Sequence, residues 1–291
     1  MCIRVTSPKY LSALVLTVLI WPGLSQAQTA FRGDYEQPWY GGWSRLQAAS
    51  VDRLVLGAPA NAPPKQGTQV GSFTVLGSDS NQAVNFDAGF VTDGRLIDVD
   101  PNNPRERAEV VWSELDPFWQ TEGKRTWYRW WTRWNSGEYP PVPERIPGQP
   151  AWQVFTQFHQ LGDGIPPVAF NVVTNRVMAD GVLRSGEWIV LDTLTDGLND
   201  VEQRPIAPLT RDVWHEFIVR IRWSNSKDTG LVEVWYDTSI RNPPTLTVRA
   251  RTLVDGSNYV KQGLYRNHED TARTLHHDGF SVSSRPPGES N

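Results

Sequence analysis

The stretch WHEFIVRIRW at residues 214–223 decides the fold class. Its apolar residues recur at every second position, with Glu216, Arg220 and Arg222 between them. Side chains alternate between the two faces of a β-strand, so this pattern predicts a strand with one buried face. The polar run NSKDTG follows, and LVEVWY at Leu231–Tyr236 resumes the alternation. Two such runs joined by a short polar segment that ends in glycine predict a β-hairpin.

Similar alternating runs occur through most of the chain, at residues 72–76, 106–112, 151–159, 246–251, 259–266 and 280–282. Turn-forming Asp-Gly pairs at 163–164, 180–181 and 255–256 separate several of them. The 22 prolines argue against a helical bundle, because each interior proline costs a helix about 3 kcal/mol. We therefore predict an all-β antiparallel jelly roll, a concanavalin-like sandwich that forms a single domain over residues 28–291.

The first 27 residues are predicted to be a secretory signal peptide. Arg4 and Lys9 give a basic start, an apolar stretch follows at residues 11–24, and SQA at residues 25–27 has the small-x-small cleavage pattern. The apolar stretch is shorter than the roughly 20 residues that a transmembrane helix needs. We expect a secreted or periplasmic protein with no membrane attachment after cleavage.

Charge and cysteine content exclude several classes of protein. The formal net charge is −4, and it becomes −6 when Arg4 and Lys9 leave with the signal peptide. A globally basic nucleic-acid binder is excluded, so we expect no nucleic-acid partner. The single cysteine, Cys2, lies in the signal peptide, so the rest of the chain has no disulfide framework and no cysteine-based zinc site. Its stability must come from its core.

The predicted strand at residues 151–159 carries two polar residues of catalytic type. Gln157 and His159 are two residues apart, so regular alternation directs both to one face. The same alternation assigns Phe155 to that face, and Trp152 and Val154 to the opposite, apolar face. Gln157 and His159 are therefore expected to meet solvent or a ligand.

The predicted strand at residues 259–266 has a similar polar face. Tyr259, Lys261 and Tyr265 share it with Gly263, whose missing side chain would let a ligand approach the backbone.

In the strand at residues 106–112, Arg107 and Glu109 share a face. For this pair a solvated ion pair worth about 0.2–1 kcal/mol is as good an interpretation as a functional one.

If these faces line one groove, the groove holds an imidazole, an amide, a phenol, an ammonium and a guanidinium. That set suits β-elimination at a uronic acid. Hydrogen-bond donors neutralise the carboxylate, a base removes the C5 proton, and an acid protonates the leaving O4. A histidine with an ordinary pKa of about 6.5 suits the base, and a tyrosine with a pKa of about 10 suits the acid.

Three strings resemble the motif strands of jelly-roll polysaccharide lyases: RAEV at residues 107–110, QFH at 157–159 and YVKQGLYR at 259–266. They are most similar to the heparin lyase I and glucuronan lyase group, and alginate lyases carry related strings. The tryptophan-rich strands at 214–236 and HHDGFSV at 276–282 are also similar, so the resemblance covers about residues 72–283. The first string departs from the RSEL common in alginate lyases. The chain also lacks the basic extension that a heavily sulfated substrate would favour.

The resemblance implies a role for each matching residue. His159 would be the general base or would polarise the acidic carbon. Tyr265 would be the general acid, or both acid and base in a syn elimination. Gln157 and Arg107 would neutralise the carboxylate, and Lys261 would bind carboxylate or sulfate.

The remaining expectations concern substrate, ions and partners. Glu109, Tyr259 and Arg266 are expected to contact an acidic polysaccharide substrate. The chemistry requires no cofactor. A structural calcium ion is compatible with the fold, although no acidic cluster specifies it. His276 and His277 are adjacent and point to opposite faces, so neither is assigned to a metal. We expect a monomer.

Three alternatives use the same sandwich. A non-catalytic carbohydrate-binding module or lectin fits the 14 tryptophans, because aromatic faces stack on sugars. A laminarinase-type hydrolase needs two carboxylates about 5–5.5 Å apart. The string ELDPFW at residues 114–119 starts like its motif but lacks the second carboxylate. A third, a structural protein with a degenerate lyase fold, can be excluded only by activity.

The string WYRWWTRW at residues 127–134 is assigned mainly to the core. Arg129 and Arg133 share a face there and are candidates for extending the groove.

Overall fold

The computed structural model of the protein describes residues 29–37, 40, 42–87, 92–97, 99–112, 120–144, 152–161, 164–195, 197, 199–254 and 256–288. The predicted signal peptide and the string ELDPFW lie outside these residues. The described residues contain sixteen strands: β1 (Thr29–Gly33), β2 (Arg45–Ala48), β3 (Leu54–Gly57), β4 (Val70–Val75), β5 (Val84–Asp87), β6 (Arg105–Val111), β7 (Arg125–Arg133), β8 (Gln153–Gln160), β9 (Val168–Val177), β10 (Leu183–Leu194), β11 (Val201–Pro208), β12 (Trp214–Arg222), β13 (Leu231–Tyr236), β14 (Leu246–Arg249), β15 (Asn258–Asn267) and β16 (Arg273–Ser283). Two 3-10 turns, Val51–Arg53 and Gly77–Asp79, complete the described elements.

The strands form two antiparallel sheets. The back sheet has the order β14-β13-β12-β7-β16-β4-β3, with β1 also paired to β16. The front sheet has the order β11-β10-β9-β8-β15-β6-β2-β5. In each sheet a run of consecutive strands, β12–β14 or β8–β11, adjoins strands from distant parts of the chain, such as β7 beside β16 and β8 beside β15. Such long-range neighbours are what the connections of a jelly roll require. The predicted fold class is confirmed.

The alternation that predicts β12 is borne out by burial. Phe217, Val219 and Ile221 are fully buried, whereas Glu216 and Arg220 are partly exposed. β12 pairs with β13 in the predicted hairpin. Each buried aliphatic or aromatic side chain contributes about 1.5–3 kcal/mol relative to an exposed one, which fixes the inward face of the strand.

The two sheets enclose one aromatic core. Trp130 of the back sheet stacks on Phe217, with ring centroids 5.1 Å apart. Phe155 and Phe170 of the front sheet pack against the same cluster. Of the four tryptophans in the string at residues 127–134, Trp130 and Trp134 belong to this core, as predicted for most of the string. Trp127 and Trp131 are buried on the outer face of the back sheet, Trp127 against Trp235 and Trp131 beneath Arg129. Among the described residues, no helix is long and apolar enough to cross a membrane.

The order of the front sheet positions the three motif strands. β15 lies between β8 and β6, so the strings QFH, YVKQGLYR and RAEV run side by side. In β6, Ala108 and Val110 are fully buried in the core, which directs Arg107 and Glu109 to the outer side of the sheet. The polar faces of these strands therefore meet on the outer surface of the front sheet.

Candidate active site

A groove of about 780 Å³ lies on the outer face of the front sheet. Seven neighbouring strands contribute side chains to it, from β2 at one end to β11 at the other. Its polar and aromatic lining residues are Gln47, Asn103, Arg105, Arg107, Trp152, Gln157, His159, Asn171, Arg176, Asp192, Gln203, Tyr259, Lys261 and Tyr265. The groove is thus a cleft that crosses the strands.

The groove brings all five predicted catalytic residues together. In the strand pairing, Tyr259 lies opposite His159, Lys261 opposite Gln157, and Tyr265 opposite Arg107. Gln157 is therefore between the level of His159 and the level of Tyr265 along the strands. This arrangement places an amide between two groups that can carry a proton.

A bulge in β8 sets which residues face the groove. Val154 and Thr156 pair with consecutive residues of β9, so Phe155 is the extra residue between them. A bulge interrupts regular alternation. Phe155 is accordingly fully buried in the core, while Trp152 and Val154 line the groove. The predicted faces of these three residues were wrong for this reason.

A second irregularity lies in β15 at Gly263 and Leu264, opposite the bulge of β8. Gly263 has φ 150°, and a Cβ atom there would lie 2.1 Å from the backbone oxygen of Ala108 and 2.9 Å from the ring of Phe73. The glycine permits close packing of β15 on β6 and on the core. The expectation that it makes room for a ligand is corrected.

Tyr265 is surrounded by cationic and aromatic groups. Arg105 donates a hydrogen bond from Nη1 to the Tyr265 hydroxyl at 3.1 Å. The guanidinium of Arg107 lies 3.9 Å from the centre of the tyrosine ring. The ring of Trp152 meets the tyrosine ring edge-on, with centroids 4.7 Å apart. Two guanidinium groups thus stabilise negative charge that develops on the phenol oxygen.

Glu109 organises the residues predicted to bind the carboxylate. It is fully buried, with one oxygen 3.1 Å from Nε of Arg107. Its other oxygen accepts a hydrogen bond of 2.5 Å from the amide of Gln157. Arg107 also donates to Gln47 at 2.9 Å. Glu109 does not line the groove, so it holds Arg107 and Gln157 in place, and its predicted contact with substrate is corrected.

His159 is oriented by a backbone carbonyl. Its Nδ1 lies 2.7 Å from the carbonyl oxygen of Gln160, which can only accept, so Nδ1 carries the proton. In the neutral ring Nε2 then has the lone pair and can act as a base. The ring also packs on Tyr259, with centroids 5.5 Å apart. Lys261 Nζ lies 5.4 Å from the centre of the Tyr259 ring, which places its ammonium over that face.

Two other predicted positions lie away from the groove. Arg266 is fully buried and pairs with Glu106 at 2.6 Å, on the opposite face of β15 from Tyr265. We therefore reassign it from substrate binding to a buried ion pair. Arg129 belongs to the back sheet, where it pairs with Glu216 at 2.6 Å. Arg133 lies on the same strand, so neither arginine extends the groove.

Several groove residues were missed from sequence. Arg105 is two positions before Arg107, so alternation alone could have found it. Asn171 and Asp192 interrupt the apolar runs VAFNVV and WIVLDTL, and an isolated polar residue within a buried strand is a signal for a site. Burial raises the pKa of Asp192 to about 6, while hydrogen bonds and the charge of Arg176 lower it.

No metal site is apparent in the part of the chain that the structure describes, where no three His, Cys, Asp or Glu side chains cluster as metal ligands. His276 is held by Ser72 and Glu138, and His277 by Thr132. Both histidines therefore have protein partners, and the calcium ion stays a prediction.

A family model described as polysaccharide lyase matches residues 42–281. The chain belongs to the polysaccharide lyase family. A comparison with curated protein sequences gives no match.

Solved structures with a similar fold include both lyases and a hydrolase. Alginate lyase A1-II', of polysaccharide lyase family 7, has a TM-score of 0.50 and 10% identity over 83% of this chain and 94% of its own. A variant of that enzyme, with one histidine changed to asparagine and one tyrosine to phenylalanine, is in complex with substrate GGMG. It has a TM-score of 0.51 and 9% identity over 86% and 95%.

The catalytic domain of a glycoside hydrolase family 131 protein from Coprinopsis cinerea has a TM-score of 0.53 and 14% identity over 89% of this chain and 95% of its own. At these identities the likeness shows the fold alone. Since a hydrolase shares the sandwich of this polysaccharide lyase family member, its chemistry has to be argued from the groove.

Proposed function

We propose that the protein is an exported enzyme that cleaves a uronate-containing polysaccharide by β-elimination. The observation that carries the proposal is the convergence of the three motif strands on one groove, with Gln157 between His159 and Tyr265. The family membership supports lyase chemistry, and the predicted signal peptide supports export to the periplasm or the medium. The similarity of the fold to alginate lyases, whose substrate is a uronate polymer, supports a uronate polymer as the substrate here.

Gln157 and Arg107 receive the carboxylate of the uronate. A glutamine amide has two N–H donors, and Glu109 accepts only one hydrogen bond from it at 2.5 Å. The second N–H is then available to a substrate carboxylate. Neutralising that carboxylate makes removal of the C5 proton easier, because the electrons released at C5 spread onto it.

His159 and Tyr265 transfer the protons. The C5–H bond breaks as His159 Nε2 takes the proton, and its electron pair forms the C4–C5 double bond. The C4–O4 bond breaks as Tyr265 delivers its phenolic proton to O4, and Arg105 stabilises the tyrosinate through its 3.1 Å hydrogen bond. Lys261 and Tyr259 bind the sugar chain beside this centre. In the syn alternative, Tyr265 performs both transfers.

The motif strings do not fix which uronate is cleaved. Their resemblance to the glucuronan lyase group is the reason to include glucuronan among the polymers tested. The net charge of −6 after signal cleavage is compatible with a polyanionic substrate. Salt screens charges more than about 8 Å away, so the substrate responds mainly to the charges in the groove itself.

The test is ultraviolet absorbance during incubation of the purified mature protein with glucuronan, alginate, heparin, heparan sulfate, hyaluronan and pectate. Elimination leaves an unsaturated uronate that absorbs, whereas hydrolysis does not. We expect absorbance to rise with at least one polymer. Tyr265→Phe should lower kcat by about 10²–10⁴-fold, the usual contribution of a general acid. Parallel runs with calcium and with a chelator test the predicted calcium ion.

Tyr259→Phe is the matched control, because it removes a hydroxyl from the same face of the same strand and keeps the ring beneath Lys261. We expect it to lose less than about tenfold in kcat. Binding without any absorbance change would favour the lectin alternative. New reducing ends without absorbance would favour a hydrolase, and either result would overturn the proposal.

A further inference from the structure

The hairpin that connects β9 and β10 bends near its end. The pairing of the two strands is irregular around Asn175 and Gly186, which have positive φ angles of 46° and 73°. The side-chain oxygen of Asn175 accepts a hydrogen bond of 2.7 Å from the backbone N–H of Gly186. A β-bulge of this kind bends the strand that carries it. The part of the hairpin beyond the bulge, residues 176–184, is thereby directed out of the plane of the front sheet, and we call it the hairpin arm.

The hairpin arm folds back over the outer face of the front sheet. Met178 of the arm is buried against Val190 of β10. Val190 pairs with Asn171, which lines the groove, so Val190 is on the groove side of the sheet. The backbone N–H of Ala179 donates to the carbonyl oxygen of Gln203 in β11 at 2.9 Å. The arm therefore crosses β10 and is attached to the edge strand.

The arm meets the groove at a fixed distance from the catalytic centre. Gln203 pairs with Asp192, Asp192 with Ala169, and Ala169 with Gln157. With neighbouring strands about 4.8 Å apart, Asp192 lies roughly 10 Å from Gln157, about the length of two linked sugar residues. The arm also brings Arg176 into the lining of the groove, where its charge acts on Asp192. The groove therefore meets a wall of protein at its β11 end.

The contacts within the arm give it a defined shape. The backbone N–H of Met178 donates to the carbonyl oxygen of Val182 at 3.1 Å, which closes the turn. Arg184 donates to the carboxylate of Asp180 at 2.6 Å, and its guanidinium lies 5.5 Å from the ring centre of Trp188. Since Trp188 packs in the same apolar cluster as Met178, the base and the tip of the arm are held on one surface.

We propose that the hairpin arm is an end stop, which makes the enzyme cleave its polymer from a chain end. This inference rests on the proposed lyase function. A polymer bound across the strands has room for about two sugar residues between the uronate at Gln157 and the arm. The internal part of a long chain would collide with the arm, whereas a chain end fits against it. The products are then short oligosaccharides of uniform size, released one at a time.

The action pattern of the wild type is the first test. Ultraviolet absorbance counts the bonds cleaved, while the viscosity of the polymer solution reports the mean chain length. We expect viscosity to fall slowly relative to absorbance, and size-exclusion chromatography to show short oligosaccharides from the start of the reaction. A steep early loss of viscosity, with products of intermediate length, would overturn the end stop.

Met178→Asp tests the arm itself, because it places a carboxylate against Val190 and should release the arm from the sheet. We expect the loss of viscosity per bond cleaved to rise at least about threefold. Ile218→Asp is the matched control, since Ile218 is buried in a small apolar cluster on the outer face of the back sheet. It should lower stability in the same way and leave the action pattern unchanged.

A second variant removes most of the arm by replacing residues 177–183 with Asn-Gly. Arg176 and Arg184 are paired, so a two-residue turn can join them. This variant should show the same rise in viscosity loss per bond cleaved, and thermal unfolding verifies that it is folded. The wild-type action pattern in the folded variant would overturn the end stop.

A binding measurement separates failure of the end stop from failure of the lyase function. Tyr265→Phe is titrated calorimetrically with chains of two lengths from each polymer tested above. A groove that is closed at one end binds one protein per chain at both lengths, whereas an open groove binds more proteins on the longer chain. A stoichiometry that increases with length would overturn the end stop. One protein per chain, without absorbance in the wild type, would support the end stop and overturn the lyase. No binding to any polymer would overturn both.

Discussion

The outer faces of the two sheets use arginine and aromatic residues in different ways. On the back sheet, Arg129 pairs with Glu216 at 2.6 Å and lies 4.4 Å from the ring centre of Trp131. Arg220 likewise pairs with Glu233 of the neighbouring strand. On the front sheet, Arg105 instead donates to the hydroxyl of Tyr265 at 3.1 Å.

The balance of charge separates a structural surface from a binding groove. Arg129 and Arg220 of the back sheet are neutralised by carboxylates on adjacent strands and lie over the rings of Trp131 and Trp127. Among the described residues that line the groove there are four cations, Arg105, Arg107, Arg176 and Lys261, and one carboxylate, Asp192. A groove with surplus positive charge attracts a polyanion. Residue type alone does not mark a site, whereas the partners of each residue do.

The largest expected effect is on the pH dependence of the free energy of unfolding, and it concerns His277, which joins the two sheets. Its Nδ1 lies 3.0 Å from the Thr132 hydroxyl of the back sheet, and its Nε2 lies 3.3 Å from the Gly263 carbonyl of the front sheet. Burial lowers the pKa of His277 from 6.5 to about 3. Between these values the unfolded chain binds the proton and the folded chain does not, so stability falls as pH falls.

Between pH 6.5 and about 3, the free energy of unfolding that the neutral His277 contributes changes by roughly 5 kcal/mol at most. Asp192 and Asp278 have the opposite sign, because burial raises each pKa to about 6 and their contribution is lost as pH rises from about 4 to 6. Urea unfolding measures the free energy of unfolding of the wild type and of His277→Gln at pH 7 and pH 4. The difference between the two proteins isolates the contribution of the histidine, because both contain Asp192 and Asp278. We expect His277→Gln to lose about 3 kcal/mol less on acidification than the wild type. The same pH dependence in both proteins would contradict the assignment.

The second prediction applies the same substitution to both sheets. Arg107→Ala should lower kcat/KM about 10²–10³-fold, because it removes a donor to the substrate carboxylate. Arg129→Ala should change kcat/KM less than about twofold and stability by about 0.2–1 kcal/mol, as expected for a partly exposed ion pair. Steady-state kinetics and thermal unfolding measure both effects. Equal losses of activity in Arg107→Ala and Arg129→Ala would contradict the distinction between a binding groove on the front sheet and a structural surface on the back sheet.

The smallest effect is expected for Arg105. Arg105→Gln should lower kcat about tenfold, because a charge-assisted hydrogen bond to Tyr265 is lost, and should leave KM within about twofold. Arg204→Gln is the control, since Arg204 lies on edge strand β11 and pairs with Glu202. A rise in KM at constant kcat would instead assign Arg105 to substrate binding.

Alternation in the sequence predicted the strands well where the pairing is regular. In β12 and β6 it identified the buried faces, and on β15 it grouped Tyr259, Lys261 and Tyr265 correctly at the groove. Alternation also implies that Arg266 faces away from Tyr265. The structure agrees with the alternation, since Arg266 is buried, and so the predicted role of Arg266 in substrate binding is wrong.

Regular alternation did not locate the bulge at Phe155, because one apolar residue on a polar face does not by itself show that a residue is inserted. Trp152 was therefore missed at the groove. Asn171 and Asp192 were missed because β9 and β10 were not among the strands predicted from the sequence. Their polarity becomes informative only when the strand order places them beside Gln157.

The residues Gln203, Asp192, Ala169, Gln157 and Lys261 pair in one row across five neighbouring strands. Under the proposed function, a row in this direction would relate the length of bound polymer to the number of strands. A polymer lying along the row meets a new strand about every 4.8 Å, so the number of strands crossed sets the shortest chain that fills the groove. In the described sheet β11 is the last strand at that end. Lengthening, shortening or losing this edge strand would change the minimum substrate length and leave the catalytic centre intact. Under the proposed function, the edge strand would set substrate length separately from the residues that cleave the bond.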